Sequence, residues 1–83
     1  MPIEVLVLSE TAHKMLEENI GNIVLIKIKD GITLRGKLRS YDQHLNIVLD
    51  DVEEIGEGGS TRKLGTVVIR GDTVVFISPI TEQ

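Results

Sequence analysis

At Gly21 the hydrophobic period of this 83-residue chain changes from helical spacing to two, which limits the fold to one short helix leading into a β domain. Ahead of that point Ser9 is a candidate N-cap, Glu10 sits in the first turn, and Ala12, Met15, Leu16 and Ile20 recur at helical spacing. Gly21 supplies the stop signal. Beyond it β-branched residues dominate, and each break falls at a turn signal such as Asp30-Gly31 or Gly71-Asp72. The expected elements are a helix over about 9–20 and strands over about 23–29, 33–41, 44–52, 63–70 and 73–78. A flexible acidic loop over about 53–62, holding Gly56-Glu57-Gly58-Gly59-Ser60, separates the third strand from the fourth. With no internal repeat and no linker, residues 1–83 read as a single domain.

Two features of the β region carry the architecture further. Gly36 falls in the middle of the second strand, where glycine weakens pairing and marks a sharp bend or a close backbone approach; a bent strand lets a five-stranded sheet curl into a barrel. The last two strands, Leu64 to Ile69 and Val74 to Ile77, are nearly continuous apolar runs, which implies burial on both faces. A domain this small buries only about 60% of the surface its unfolded chain exposes. Pairing these strands edge to edge between copies would cover their apolar surface and their free edges together. Such a contact is head to tail, so repetition closes into a ring or runs on as a fibre.

Composition removes several function classes. The chain has no cysteine, hence no disulfide framework, no thiolate zinc site and no cysteine nucleophile. No segment approaches the roughly 20 apolar residues of a membrane span, and Met1-Pro2-Ile3-Glu4 lacks the basic start of a signal peptide. A soluble, cytoplasmic protein without cofactor or metal is expected. The net charge of −4 argues against nucleic-acid binding through a generally positive surface. The charges are unevenly spread, however. Lys27, Lys29, Arg35, Lys37 and Arg39 lie close together, while Asp50, Asp51, Glu53, Glu54 and Glu57 follow without a base until Arg62, which reads either as one basic and one acidic edge or simply as the solvated faces of strands.

Candidate site residues fall in two segments, Tyr41-Asp42-Gln43-His44-Leu45-Asn46 and Leu64-Gly65-Thr66-Val67-Val68-Ile69-Arg70-Gly71-Asp72. If the first is extended, Asp42, His44 and Asn46 share one side, while Leu45, Ile47 and Leu49 face the core. On spacing alone His44 also reads as an ordinary exposed histidine, and Asn46 as a partner for turn backbone. Arg70-Gly71-Asp72 reads first as a tight turn, in which nothing local demands the guanidinium of Arg70. A hydrolase using His44 and Asp42 would need a nucleophile or a metal set, and neither accompanies them.

Taken together, the two segments resemble the two halves of the Sm/Sm-like (Lsm) motif, over roughly residues 20 to 78. Val24-Leu25-Ile26 through Asp30-Gly31, Gly36 and Asp42 to Asn46 resembles the first half, and Leu64 to Asp72, with Ile69-Arg70-Gly71-Asp72 at its centre, the second. Leu45 stands where the family often has Met. The resemblance implies an N-terminal α-helix on a strongly bent five-stranded antiparallel SH3-like small barrel, with the fourth strand of one subunit paired to the fifth of the next. Rings of six or seven identical subunits follow, seven favoured, each with a nucleotide pocket at the inner rim. The bare core and short tails are most like the archaeal members.

The implied ligand is uridine-rich single-stranded RNA, in RNA processing, chaperoning or turnover; the alternative is a structural ring that scaffolds protein partners. His44 and Arg70 would sandwich the base, Asn46 would hydrogen-bond its edge, and Asp72 would orient Arg70 or Asn46, with Asp42 and Gly71 completing the site. The chemistry fits. Unstacked bases are read by flat side chains and by hydrogen bonds to their edges, and with Tyr41 and Phe76 the only aromatic residues, an imidazole and a guanidinium are the remaining flat groups. An amide offers a donor and an acceptor to O4 and N3–H of uracil, provided that its orientation is fixed. Repeating Arg70 around a ring concentrates positive potential despite the global acidity. By the resemblance Tyr41 is either a core aromatic, the favoured reading, or a pocket wall; His13 is expected on the exposed helix surface, and the helix with the adjacent strand implies a second RNA-contacting face to which Lys27 or Lys29 would contribute.

Overall fold

The computed structural model describes residues 3–80, with side chains from residue 11 onward. Helix α1 spans Ile3–Glu18 and is followed by strands β1 Ile23–Ile28, β2 Thr33–Tyr41, β3 Ile47–Ile55, β4 Thr61–Ile69 and β5 Val74–Pro79. The helix therefore starts six residues before Ser9, which lies inside it; the side chains of Ser9 and Glu10 fall outside the described residues. No glycine or proline interrupts the chain from Ile3 to Leu8, and adding turns to an existing helix is favoured over starting a new one at a cap. At the other end the helix stops at Glu18, two residues short of the expected limit. The Asn19 side chain donates to the Met15 carbonyl at 2.8 Å, and Gly21 at φ +89° turns the chain away.

All neighbouring strands are antiparallel, in the order β4-β3-β2-β1-β5. Inward-facing residues of four strands fill the core: Val24 and Ile26 from β1, Leu34 and Leu38 from β2, Ile47, Leu49 and Val52 from β3, and Ile69 from β4. Leu16 of α1 joins them, fully buried, so the helix lies against this core. Its C-terminal turn is tied to β2 by Gly21 N–H to the Leu38 carbonyl, at 2.8 Å, and Leu38 N–H to the Asn22 carbonyl, at 2.9 Å.

The bend is located where the sequence suggested. The β2–β3 register shifts between Arg35 and Lys37, around Gly36. A Cβ there would meet Val52 Cγ2 at 2.9 Å, the Asp50 carbonyl at 3.1 Å and Leu49 Cβ at 3.2 Å, so only glycine admits this approach of β3. A second irregularity faces it on the other side of β3. The β3–β4 register shifts between Leu49 and Val52, with Asp51 at φ +52° and Gly65 at φ +77°. Bulges of this kind increase local twist and bend strands.

The charge pattern resolves differently from two separate edges. Arg35 pairs with Glu53 at 3.3 Å and Arg39 with Asp50 at 2.8 Å, both across β2–β3, while Arg62 pairs with Glu54 at 2.8 Å across β3–β4. Basic β2 and acidic β3 are adjacent strands, so the two runs face one another. Glu53 and Glu54 belong to β3, and the acidic loop shortens to residues 56–60.

At the two ends of the strand order β4 and β5 are free edges. Both carry exposed apolar side chains, Leu64 and Val68 on β4 and Val75 and Phe76 on β5. Among the described residues of a single copy nothing covers them, as the apolar runs implied.

Candidate functional site

Strand β2 ends at Tyr41 and β3 begins at Ile47, so His44 and Asn46 stand in a loop rather than on a strand. Alternation does not apply there, because Leu45 takes φ +63° and the chain reverses. Asp42 organises the reversal. Its Oδ1 accepts the backbone N–H of His44 at 2.8 Å and of Asn46 at 3.0 Å, and its Oδ2 accepts the Asn46 side-chain amide at 3.0 Å. Backbone bonds from Asp42 N–H to the Asn46 carbonyl and from Leu45 N–H to the Asp42 carbonyl, both 3.0 Å, close the loop. These bonds, the Asn46 amide first, hold the Asp42 carboxyl below its ordinary pKa, because they favour its ionised form.

The second segment turns just after β4. Thr73 N–H bonds the Arg70 carbonyl at 3.0 Å and Thr73 Oγ1 donates to it at 2.7 Å. Gly71 N–H donates to Asn46 Oδ1 at 2.8 Å, which joins the two loops. A Cβ on Gly71 would run into the His44 carbonyl and lie 2.8 Å from that of Leu45. Glycine is required here by space. Its neighbour Arg70 is exposed and pairs with Asp72 Oδ2 at 3.1 Å.

The Asn46 amide is thereby fixed in one orientation: its oxygen faces the Gly71 N–H and its nitrogen faces the Asp42 carboxylate. Orienting Asn46 falls to Asp42 and Gly71, while Asp72 bonds only Arg70 among the pair expected of it. One N–H and one oxygen lone pair of the amide remain available, which is the donor and acceptor pair a base edge needs.

Asp42, Asn46 and Arg70 line a cavity of about 440 Å³ together with Ser40, Tyr41, Val48 and Val68. His44 does not line it; it is exposed on the adjoining loop. Sequence reasoning passed over Ser40, Val48 and Val68, although the strand register aligns them in one row, Ser40 against Val48 and Val48 against Val68. Tyr41 is both a core and a wall residue. It packs against the core, lines the cavity, and donates its hydroxyl to the His13 carbonyl at 3.1 Å. His13 is half-buried rather than exposed, its ring 5.7 Å from that of Tyr41. A larger concavity of about 840 Å³ lies elsewhere, beside the end of α1.

No cluster of three or more His, Asp or Glu side chains with the spacing of a metal site occurs among the described residues, and no helix among them is long and apolar enough to cross a membrane. What the geometry defines is a small bent β domain with an open pocket built by two joined loops and equipped with an oriented amide and an exposed guanidinium.

The sequence and the fold are similar to those of known proteins. The model of the LSM domain family matches residues 14–79. An snRNP Sm-like protein of Aeropyrum pernix is 50% identical over 66 residues, 80% of this chain and 84% of the relative. Among solved structures, a P. aerophilum SmAP1 heptamer matches with a TM-score of 0.82 and 47% identity, over 87% of this chain and 96% of that one. A Pyrococcus abyssii Sm protein in complex with a uridine heptamer matches with a TM-score of 0.76 and 41% identity, over 82% and 96% respectively. The chain belongs to the LSM domain family of Sm-like proteins.

Proposed function

We propose that this protein is a single-stranded RNA-binding protein that assembles into a homomeric ring, seven subunits favoured, and binds uridine-rich RNA through the pocket at its joined loops. The observation that carries the reading is the double restraint on Asn46 by Asp42 and Gly71. An amide that cannot flip presents its N–H and its oxygen in fixed order. That order suits O4 and N3–H of uracil, and cytosine, with donor and acceptor exchanged, does not match it. Arg70 supplies a flat cation to stack on the base and attract the backbone, and His44, exposed on the adjoining loop outside the cavity, would cover the opposite face of a base that projects from it.

Assembly is supported by the free β4 and β5 edges with their exposed valines and phenylalanine, and by likeness to a heptameric relative. The uridine complex of another relative supports the choice of base. Identical pockets around a ring act on one strand by avidity, so each site can be weak. The proposed role is non-catalytic, in RNA processing, chaperoning or turnover in the cytoplasm. Native mass spectrometry with and without a uridine oligomer tests the reading. The expected result is a seven-subunit ring that gains the mass of one oligomer, and a monomer, or a ring that gains none, would contradict it.

A further inference from the structure

The pocket is lopsided. Its loop end is polar, with Asp42, Asn46 and Arg70, while its strand end is apolar and stops at the free edge of β4, where Val68 is 68% exposed. Ile47 and Ile69 pair across β3–β4 and are both buried, so Val48 and Val68, one residue removed on each strand, point to the outer face. Ser40 continues that outer row on β2. Among the described residues of a single copy, nothing closes the row beyond Val68.

On β5 the same test separates the two faces. Ile77 lies opposite buried Ile26 and packs against the core, whereas Phe76 lies opposite Lys27 and is 46% exposed. Phe76 and Ser78 are thus outward residues of the strand, while Val75, 58% exposed, falls at the register shift and has no partner on β1. If β5 of a second copy extends the sheet past β4, as the ring reading on which this inference rests requires, outward faces join outward faces. The next side chain after Val68 is then an outward residue of β5, and Phe76 is the large apolar one that matches it.

We infer that Phe76 of the neighbouring copy closes the apolar end of the pocket and forms a wall of the nucleotide site, so that each site is complete only across a subunit boundary. An aromatic ring beside the base supplies the contact that the chain's own pocket, with Tyr41 hydrogen-bonded back to α1, otherwise provides only in part. RNA binding and assembly are then linked, each favouring the other.

The chain has no tryptophan, so Phe76→Trp places a single reporter at this position. Its fluorescence is read during titration with an unlabelled uridine oligomer, with anisotropy of a labelled oligomer in parallel and native mass spectrometry of each sample. The inference expects a ring of unchanged subunit number whose fluorescence changes saturably over the concentration range in which the oligomer binds. Binding without a fluorescence change would overturn it. Phe76→Leu keeps an apolar side chain at the edge and is the second variant: a ring that binds the oligomer at least about five-fold more weakly agrees with the inference, and one that binds as tightly as the unaltered protein contradicts it. If the unaltered protein forms no ring, the ring reading itself has failed, which the mass spectrum reports separately.

Discussion

The side-chain oxygen of Asn46 accepts the backbone N–H of Gly71 at 2.8 Å, across 25 residues of sequence. One bond thus sets the distance between the loop after β2 and the loop after β4, and at the same time fixes the amide that faces the pocket. Asn46→Ala leaves that N–H without its partner and frees both loops. The expected cost is about 1 kcal/mol of stability, read as a lower urea midpoint, together with loss of preference for uridine over cytidine oligomers. A variant that keeps the preference would contradict the role given to the amide.

Gly71 is required for space rather than for an unusual backbone angle. In Gly71→Ala the new methyl meets the backbone carbonyls of His44 and Leu45, which cannot swing aside as a side-chain end could. Overpacking of this kind costs about 1–3 kcal/mol. The expected result is a lower urea midpoint with weakened uridine binding, whereas Gly58→Ala, in the loop between β3 and β4, strains a backbone at φ +74° but places its methyl in open space, so it should lower the urea midpoint and leave the pocket's affinity unchanged.

Much of this was legible in the sequence because its signals are local. The limits of β2 at Thr33 and Tyr41, the bend at Gly36 and the turns at Asp30-Gly31 and Gly71-Asp72 each follow from one residue's backbone preference. The start of β3 falls later than alternation predicts: His44 and Asn46 alternate with apolar neighbours, yet Asp42 draws their backbone N–H groups onto its carboxylate. An aspartate opening a turn is the signal that could have revealed this. The partners of Asn46, the cross-strand ion pairs and the row Ser40, Val48 and Val68 depend on strand register, which composition and spacing do not encode. The helix starts earlier than the cap preference of Ser9 predicts, because propagation from Ile3 outweighs that preference.

The lowered pKa of Asp42 sets the pH range of the site. A carboxylate whose folded pKa lies below its unfolded value contributes fully above the unfolded value, and that contribution is lost as pH falls through the folded one. Uridine selectivity is therefore expected to hold from neutral pH to about 5, above the ordinary aspartate range, and to decline only below it. Asp42→Asn removes this titration and should weaken selectivity already at neutral pH. Binding of both oligomers measured across that range decides the matter; selectivity lost between pH 7 and 5 in the unaltered protein would implicate another group.

On the β5 edge Val75 is 58% exposed. Val75→Glu places a charge where a neighbouring copy would bury it, and an unpaired buried charge is costly enough to prevent association. The expected result in light scattering is a monomer, or aggregation if the other edge pairs wrongly. A ring of unchanged mass would rule out this edge as the contact.

The most direct measurement is fluorescence anisotropy of labelled oligo(U) and oligo(C), titrated with the purified assembly at one stated salt concentration. A pocket with an oriented Asn46 and an exposed Arg70 should bind oligo(U) more tightly than oligo(C), with a preference that persists as salt is raised even though both affinities fall. Equal affinities that vanish together with salt would mean that only the RNA backbone is recognised, and no binding of either would leave a ring that serves as a scaffold.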